Sequence, residues 1–259
     1  RHLIEACMDS VRRHGITNIN FDLMYGLPNQ SLADLEETLK QAIELAPSRI
    51  ALFGYAHLPD LVPRQRRIDA RALPGPQLRF EMAERGHELL TAAGYQPIGF
   101  DHFALASDGL AKANASGRLY RNFQGFTDDD SPVLIGFGAS AISSFPQLMI
   151  QNEKNPGRYR ECIANGSLAC ARGVERNADD RDRSAIIERI LCHREARNIP
   201  EAILASARPA LDPLEALGLI EWQERDLRLN RAALPYARVV ASAFDAYRQP
   251  GSSRFSNAI

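Results

Sequence analysis

FDLMYGLP, residues 21–28, is the stretch on which the fold of this chain depends. It is a short apolar run closed by glycine and proline, and the similar run IALFGYAHLP occupies residues 50–59; both are typical of a strand followed by a turn. Residues 31–46 carry apolar side chains three or four positions apart, and Ser31 and Asp34 have the spacing of a capping box. Strand, helix and strand in succession predict a βαβ unit, a parallel sheet and a right-handed crossover.

Polar residues near the carboxyl ends of these strands form the candidate site, because ligands of parallel α/β sheets bind there. Asp22 lies inside an apolar strand, where an isolated carboxylate is costly to bury. It is therefore either the partner in a salt bridge that closes the sheet or an acceptor for the hydroxyl groups of a nucleoside. His57 and His102 are each expected to end a strand at one edge, as structural residues or as ligand contacts.

The remaining segments extend this pattern along the chain. A long helix is expected at 76–93, and a third strand is expected at 95–100, running into Asp101. The apolar run at 133–142 contains two glycines that permit close backbone approach, either for sheet packing or for contact with a ligand. From about residue 173 the pattern resembles a winged-helix fold, with helices at 180–194, 200–217 and 233–247 and strands at 219–223 and 226–230.

The composition is that of a globular protein, since 45% of the 259 residues are hydrophobic and 24% are charged. A formal net charge of −1 gives no support for binding to nucleic acid or to an anionic membrane. The four cysteines, Cys7, Cys162, Cys170 and Cys192, are too widely spaced for a zinc or iron–sulfur motif. We therefore expect a cytoplasmic protein with reduced thiols and with no metal site in this chain.

The first residues indicate a longer protein. Arg1 is not an initiator methionine, and Leu3, Ile4 and Cys7 already begin the apolar stripe of a helix expected at 3–14. The chain is therefore expected to start inside or just before a helix that leads into the first strand. We interpret it as the C-terminal portion of a larger polypeptide.

A second group of polar residues lies on a loop that follows residue 120. Arg121, Asn122 and Gln124 give this loop more polar density than a turn requires, and a carboxylate is the natural partner of such an arginine. Four more arginines lie close together in the segment 64–71, where they form either a solvated face or the border of an anion site. The loop at 121–124 is therefore the stronger candidate for binding a carboxylate.

Five motifs together resemble the oxygen-independent coproporphyrinogen III oxidases, which are radical S-adenosylmethionine enzymes of haem biosynthesis. The motifs occur in the order found in that family and at similar spacing, and the resemblance extends over nearly the whole chain, including the tail RFSNAI. They are FDLMYGLP (21–28), GYAHLP (54–59), GFDHFA (99–104), RNFQGFT (121–127) and GFGASAIS (136–143).

The resemblance implies an α/β fold: the second part of a partial (β/α) barrel with a parallel sheet at 1–172, and a small, mostly helical, winged-helix-like domain at 173–259. It also implies S-adenosylmethionine contacts at Asp22, Ala56 and Ile142. In this family a 4Fe–4S cluster is held by three cysteines of a C-x3-C-x2-C motif, which this chain lacks. We therefore expect neither cluster binding nor turnover from this chain alone.

The implied activity is the oxidative decarboxylation of two propionates of coproporphyrinogen III to vinyl groups, which gives protoporphyrinogen IX and requires an electron donor. Because this substrate carries four propionates, cations are expected near the barrel mouth, with Arg121 as a carboxylate partner. His57, His102, Asn122 and Gln124 are the other candidate substrate contacts. The whole protein is expected to be a monomer that binds neither nucleic acid nor membrane.

Two alternatives remain open. The related haem chaperones have a similar fold and radical motif but transfer haem. Sequences that resemble them typically have Ser-Asn in place of Asp101-His102. Those sequences also typically have Arg-His-Asn in place of Arg121-Asn122-Phe123. The present sequence follows the oxidases at both places. A winged-helix regulator with an α/β sensor domain would need a basic recognition helix, and the C-terminal segment is not strongly basic.

Overall fold

The computed structural model describes residues 1–248, and the tail RFSNAI at 254–259 lies outside the described residues. The helices are α1 (His2–Arg13), α2 (Leu32–Glu44), α3 (Pro76–Ala92), α4 (Gly109–Ala115), α5 (Pro156–Ala164), α6 (Ala178–His193), α7 (Glu201–Ala216) and α8 (Ala237–Ser242). The strands are β1 (Asn20–Tyr25), β2 (Arg49–Gly54), β3 (Gln96–Ile98), β4 (His102–Ala104), β5 (Tyr120–Arg121), β6 (Phe126–Thr127), β7 (Ile142–Phe145), β8 (Leu148–Asn152), β9 (Cys170–Glu175), β10 (Glu195–Ala196), β11 (Ile220–Gln223) and β12 (Asp226–Leu229). None of these helices is both long and apolar enough to span a membrane.

The first two strands confirm the predicted βαβ unit. β1 pairs with β2 in parallel over its full length, from Asn20 opposite Arg49 to the last residue of each strand. The connecting helix α2 begins after Ser31, whose hydroxyl accepts a hydrogen bond from the Asp34 N–H, while the Asp34 carboxylate accepts one from the Ser31 N–H. The expected capping box is therefore present, and it fixes the start of the helix.

The expected third strand at 95–100 is in fact two shorter strands. β3 ends at Ile98, Gly99 reverses the chain with a φ of 61°, and β4 begins at His102. β4 pairs antiparallel with β2 and with β3, so the sheet order is β1-β2-β4-β3 and β1-β2 is its parallel pair. The α/β fold class is confirmed, but the single third strand was wrong, because apolar periodicity does not register a reversal at one glycine.

The two faces of this sheet have different surroundings. Phe21, Leu23 and Tyr25 of β1 pack against a buried cluster with residues from α2 and α3. The intervening residues of β1 are exposed. Because successive side chains of a strand point to opposite faces, Asp22 lies on the face away from α2 and α3, which we call the second face of the sheet.

Two further sheets lie between residues 120 and 175. β5 and β6 form a hairpin, and β7, β8 and β9 form an antiparallel sheet in that spatial order. Gly136 lies against the first strand of this sheet, where an added Cβ would come within 2.6 Å of the Ile142 carbonyl oxygen. This close backbone approach favours sheet packing as the role of the glycine-containing run at 133–142.

The segment from α6 to α8 has a core of its own, with Ile190, Leu211, Leu227 and Phe244 among its buried residues. β10, β12 and β11 form a small antiparallel sheet beside helices α6 and α7, so the expected order of two helices and two strands is confirmed. The expected helix at 233–247 is instead a 3₁₀ helix (Arg231–Tyr236) followed by the short α8, because Pro235 has no N–H for an α-helical hydrogen bond. A domain boundary at 172/173 stays a prediction.

Candidate functional site

Asp22 lies on the second face of the sheet, within β1. Its side chain is exposed, and Asn20 Nδ2 donates a hydrogen bond to its Oδ1 at 2.7 Å. Within the described range 1–248, Asp22 has no ion-pair partner, so the salt bridge considered as its structural role is not formed there. Its carboxylate keeps acceptor capacity for a ligand.

His102 lies in the same row of the sheet as Asp22. Asp22 is opposite Ala51 in β2, Ala51 is opposite His102 in β4, and directly opposed residues share a face. The Nδ1 atom of His102 lies 2.6 Å from Asp101 Oδ1, and both side chains are largely buried. The expectation that His102 ends a strand was wrong: it begins β4, because Gly99 has already reversed the chain.

His57 lies on the loop that follows β2, and Gln65 holds this loop in place. The Gln65 side-chain amide accepts a hydrogen bond from the Leu58 N–H at 2.5 Å and donates one to the Ala56 carbonyl at 3.0 Å. The Tyr55 hydroxyl lies 3.4 Å from His57 Nδ1. Gln65 is therefore a positioning residue for a loop that carries two of the predicted site residues.

The sequence analysis missed Gln65, because it lies in a segment whose visible pattern is its charge. The four arginines of that segment are all exposed, and Arg71 pairs with Asp69 at 3.0 Å, which supports a solvated face. A single glutamine between arginines carries no periodic or motif signal. Only the tertiary contact with the loop after β2 gives Gln65 its role.

Arg121 lies over two aromatic rings. Its Cζ is 5.4 Å from the ring centroid of Phe100 and 5.0 Å from that of Phe126, and its backbone N–H donates to Glu188 Oε2 at 3.0 Å. Cation–π contacts orient a guanidinium without using its N–H donors, and no carboxylate of the described residues pairs with it. The His102 ring packs edge-on against the same Phe126, 5.3 Å between centroids. Arg121 and His102, two of the predicted substrate contacts, therefore both contact the ring of Phe126.

Asn122 shapes the loop between β5 and β6. Its Oδ1 accepts hydrogen bonds from the backbone N–H groups of Gln124, at 2.8 Å, and of Gly125, at 3.3 Å. The Asn122 N–H in turn donates to the Gly125 carbonyl at 3.0 Å, and the Gln124 side chain is exposed. The Asn122 Oδ1 is therefore used as an acceptor within the turn. Ligand contact by Asn122 and Gln124 stays a prediction.

Two cavities concern the predicted S-adenosylmethionine contacts. Ala56 lines a cavity of about 920 Å³ between α3, the β3–β4 turn and the segment 231–238, which we call the α3 cavity. Ile142 lines a different cavity of about 390 Å³ between the β7–β9 sheet and α6. Asp22 lines neither of these two cavities. The shared role of the three residues therefore stays a prediction.

The cysteines do not gather into a metal site. Cys7 and Cys170 are exposed, Cys162 is half-buried, and Cys192 is buried. Burial, and secondarily Glu188, raises the pKa of Cys192 to about 12, which keeps its thiol protonated. Nowhere in residues 1–248 do three or more His, Cys, Asp or Glu side chains form a group that could hold a metal ion. The residues present therefore do not fit a 4Fe–4S cluster.

His87 of α3 predicts how stability depends on pH. Burial and the nearby Arg231 lower its pKa below the ordinary 6.5, against opposing effects of Glu84 and Glu88. As the pH falls through about 6.5, the unfolded chain binds a proton that the folded chain does not, so the free energy of unfolding should decrease. Urea unfolding between about pH 5 and 8 should show this decrease, and His87→Gln should make it shallower.

His14 provides the control for this prediction, because its side chain is exposed. His14→Gln should reproduce the pH profile of the parent chain. His193, whose pKa is also lowered by burial and by Arg189, should retain part of the dependence in the His87→Gln variant. Identical profiles for His87→Gln and the parent would show that His87 does not contribute.

The mixed sheet, with α2 and α3 packed on one face and Asp22 exposed on the other, defines an α/β protein of the partial-barrel class. A solved structure of coproporphyrinogen III oxidase (HemN) from Escherichia coli, described as a radical SAM enzyme, matches this fold with a TM-score of 0.88 and 34% identity, covering 95% of this chain and 59% of that chain. The chain belongs to the family of the oxygen-independent coproporphyrinogen III oxidases.

Curated relatives with that name support the assignment. The proteins from Bradyrhizobium diazoefficiens, Paracoccus denitrificans and Escherichia coli are 42%, 40% and 34% identical to this chain, over 98%, 96% and 94% of its length. The chain spans 58%, 56% and 55% of the lengths of these three relatives. No family model matches the chain.

Proposed function

We propose that this chain is part of an enzyme that oxidatively decarboxylates two propionates of coproporphyrinogen III to vinyl groups, giving protoporphyrinogen IX. The names of the relatives support this activity, and because the chain spans little more than half of their lengths, the activity is that of the whole protein. The observation that carries the proposal is Arg121, a guanidinium oriented by Phe100 and Phe126 and without a carboxylate partner among residues 1–248.

In this proposal Arg121 binds a propionate carboxylate of the substrate through its free N–H donors, because planar, bidentate pairing is the strongest contact it can make. The bond to Asp101 holds the His102 ring and leaves Nε2 for the ligand. His57, Asn122 and Gln124 are the remaining proposed substrate contacts. The rings of Phe100 and Phe126 exclude water from beside the guanidinium and so strengthen its pairing.

Asp22, Ala56 and Ile142 are the proposed contacts of S-adenosylmethionine. The exposed carboxylate of Asp22 accepts hydrogen bonds from ribose hydroxyls, and Ala56 and Ile142 supply backbone and apolar contacts. S-adenosylmethionine together with a 4Fe–4S cluster supplies the radical chemistry in this family. Since the cysteines of this chain do not fit the cluster, the proposal places the cluster ligands outside it.

Anaerobic reconstitution with iron and sulfide tests the placement of the cluster. The 259-residue chain should show no charge-transfer absorbance of an iron–sulfur cluster after desalting. The same treatment of a polypeptide that joins this chain to a C-x3-C-x2-C segment should produce that absorbance. A stable cluster in the chain alone would contradict the proposal, because it would require ligands that the described residues do not bring together.

A product assay tests the activity itself. The cluster-containing polypeptide, supplied with S-adenosylmethionine and a reductant, should convert coproporphyrinogen III to protoporphyrinogen IX. The haem-chaperone alternative has no support from the relatives, which are named as oxidases. Tight, stoichiometric haem binding without any product would overturn the proposed function in favour of the chaperone.

Arg121→Gln should lower kcat/KM for coproporphyrinogen III by roughly 10- to 100-fold in the active polypeptide. A hydrogen bond to a charged group contributes about 1.5–3 kcal/mol, and each 1.4 kcal/mol corresponds to a factor of about ten. KM should rise more than kcat falls, because the proposed contact binds a carboxylate that does not react. Steady-state kinetics measures both constants.

Arg118→Gln is the matched control for Arg121→Gln, because Arg118 is an exposed arginine on the same segment and donates to the Ser116 hydroxyl. Its kinetic constants should stay within about twofold of the parent's, as expected for a surface substitution. Equal kinetics for Arg121→Gln and the parent would remove Arg121 from the substrate site.

We also propose that the whole enzyme is a cytoplasmic monomer that takes electrons from a separate donor. The near-neutral formal charge of −1 supports the absence of bulk binding to nucleic acid or anionic membranes. Size-exclusion chromatography with light scattering tests the oligomeric state, and a dimer at micromolar concentration would contradict it.

A further inference from the structure

The α3 cavity is large enough for a ligand, and of the contacts proposed above its lining includes Ala56 alone. Its volume of about 920 Å³ lies in the upper part of the range of roughly 300–1,000 Å³ for small-molecule sites. Leu52 and Phe103, which line it, belong to the core on the α2/α3 face of the sheet. The cavity therefore borders the α2/α3 face of the sheet, while Phe53 and Asp101, which also line it, contact His102 on the second face.

Apolar side chains from three separate parts of the chain line this cavity. Phe80 comes from α3, Phe100 from the β3–β4 turn, and Leu219 and Leu234 from the C-terminal segment. Aromatic and aliphatic walls of this kind bind flat, apolar ring systems.

Three arginines also line the α3 cavity: Arg79, Arg231 and Arg238. Arg79 Nη2 donates to the Tyr55 carbonyl at 3.0 Å, and its Nε is buried without a hydrogen-bond partner. The Arg238 guanidinium lies 5.6 Å from the ring centroid of Phe100. In the part of the chain that the structure describes, none of the three has a carboxylate within ion-pair distance.

The acidic side chains that line the cavity are either paired elsewhere or exposed. Glu88 pairs with Arg85 at 3.0 Å, and Asp101 pairs with His102 at 2.6 Å. Glu84, the third carboxylate, is exposed. The cavity therefore presents N–H donors beside apolar walls, which is the combination that binds an anionic, largely apolar molecule.

Two of the arginines lie well apart along the cavity. Arg79 packs on Gly54 near the carboxyl end of β2, with its Nη2 3.1 Å from where a Cβ would lie. Arg231 lies near His87 and lowers its pKa. Because His87 follows Arg79 by eight residues of α3, the two positions are about 12 Å apart along the helix. A ligand that pairs with both needs carboxylates at separate points of an extended frame.

We infer that the α3 cavity binds a carboxylate-bearing tetrapyrrole, with its rings against Phe80 and Phe100 and separate carboxylates on Arg79 and Arg231. This inference rests on the proposed function for the class of ligand, and it adds a second binding place beside the proposed substrate site. Phe100 is shared, since Arg121 lies 5.4 Å and Arg238 5.6 Å from its centroid. The cavity and the proposed substrate site are therefore neighbours across one ring.

Titration of the 259-residue chain with coproporphyrin III, the stable and fluorescent oxidised form of the substrate, tests this inference. Arg231→Gln should weaken binding by about tenfold or more, the loss of one charge-assisted hydrogen bond. Ala83→Trp, which places a large ring in the cavity, should weaken it at least as much. The uncharged tetramethyl ester should bind about tenfold more weakly than the acid, for the same reason.

Arg208→Gln is the matched control, because Arg208 also lies over an aromatic ring, 4.5 Å from the centroid of Trp222, but does not line the cavity. It should bind coproporphyrin III like the parent chain. Circular dichroism of each variant establishes that the fold is retained. Protoporphyrin IX, with two carboxylates instead of four, distinguishes a substrate site from a product site. Tighter binding of coproporphyrin assigns the cavity to the substrate, and tighter binding of protoporphyrin assigns it to the product.

The variants separate failure of this inference from failure of the proposed function. Binding that is lost in Arg121→Gln but unchanged in Arg231→Gln and Ala83→Trp overturns the cavity assignment and leaves the proposed function standing. Absence of coproporphyrin binding in the parent chain also overturns the cavity assignment, while the product assay judges the proposed function independently. Loss of binding in both cavity variants, with Arg208→Gln unchanged, establishes the site.

Discussion

Asp108→Ala should lower the free energy of unfolding by about 3–5 kcal/mol, a large fraction of the stability of an ordinary domain. The Asp108 side chain is fully buried, and Arg49 Nη2 pairs with its Oδ1 at 2.8 Å. The same oxygen accepts the Leu110 N–H at 2.8 Å and so caps α4. Removing the carboxylate leaves the Arg49 guanidinium, itself only 24% exposed, without its counter-charge, and it also removes the cap.

Asp69→Ala is the matched control, because Asp69 also caps a short helix and also pairs with an arginine. Its partner Arg71 lies at 3.0 Å, but the two side chains are 92% and 54% exposed for Arg71 and Asp69. An exposed pair contributes about 0–1 kcal/mol and a helix cap typically about 1 kcal/mol, so this variant should lose about 1–2 kcal/mol. Urea unfolding compares the two variants directly. Equal losses would mean that burial of the Arg49–Asp108 pair does not matter.

Gly99→Ala should lower the free energy of unfolding by about 2–5 kcal/mol and disturb the candidate site at the same time. Gly99 has a φ of 61°, which costs an L-residue about 1–2 kcal/mol. An added Cβ would lie 1.9 Å from Phe126 Cζ, and forcing that buried ring aside costs about 1–3 kcal/mol more. Because Arg121 and His102 both contact Phe126, the displaced ring should also weaken coproporphyrin binding at Arg121.

Gly117→Ala isolates the backbone part of this effect. Gly117 has a similar φ of 69°, and nothing lies within 4 Å of an added Cβ. Gly117→Ala should therefore lower the free energy of unfolding by about 1–2 kcal/mol. In a Phe126→Leu background, the loss of unfolding free energy caused by Gly99→Ala should fall to about the same value, because the ring that collides with the added Cβ is gone. An unchanged cost in that background would show that the strain lies elsewhere.

The elements that depend on chain neighbours could be predicted from the sequence. The capping box of Ser31 and Asp34, the apolar spacing of α2 and the parallel pairing of β1 with β2 are all confirmed. The helices α6 and α7 and the strands β11 and β12 follow the expected order for the same reason. Each of these signals lies within one turn, one strand or one short connection, where local sterics and hydrogen bonds decide the conformation.

The errors had both long-range and local causes. Nothing near 95–104 in the sequence shows that β4 returns antiparallel beside β2, since the register Ala51 opposite His102 joins residues on different elements. The sheet of β7, β8 and β9 was not predicted, because its strands are short and only partly apolar. The predicted helix at 233–247 is replaced up to Tyr236 by a 3₁₀ helix, and α8 begins only at Ala237, because Pro235 has no N–H for an α-helical hydrogen bond.

The sequence by itself determined the βαβ unit, the candidate residues Asp22, His102 and Arg121, and the resemblance that the relatives bear out. Those features depend on the local sequence, because strands, caps and motifs each consist of residues that are close together along the chain. The tertiary structure alone decided that Arg121 and His102 meet at Phe126, and that Arg79 and Arg231 line one cavity. Such meetings depend on how separate elements pack to bury apolar surface, and no local pattern encodes which distant side chains that packing brings together.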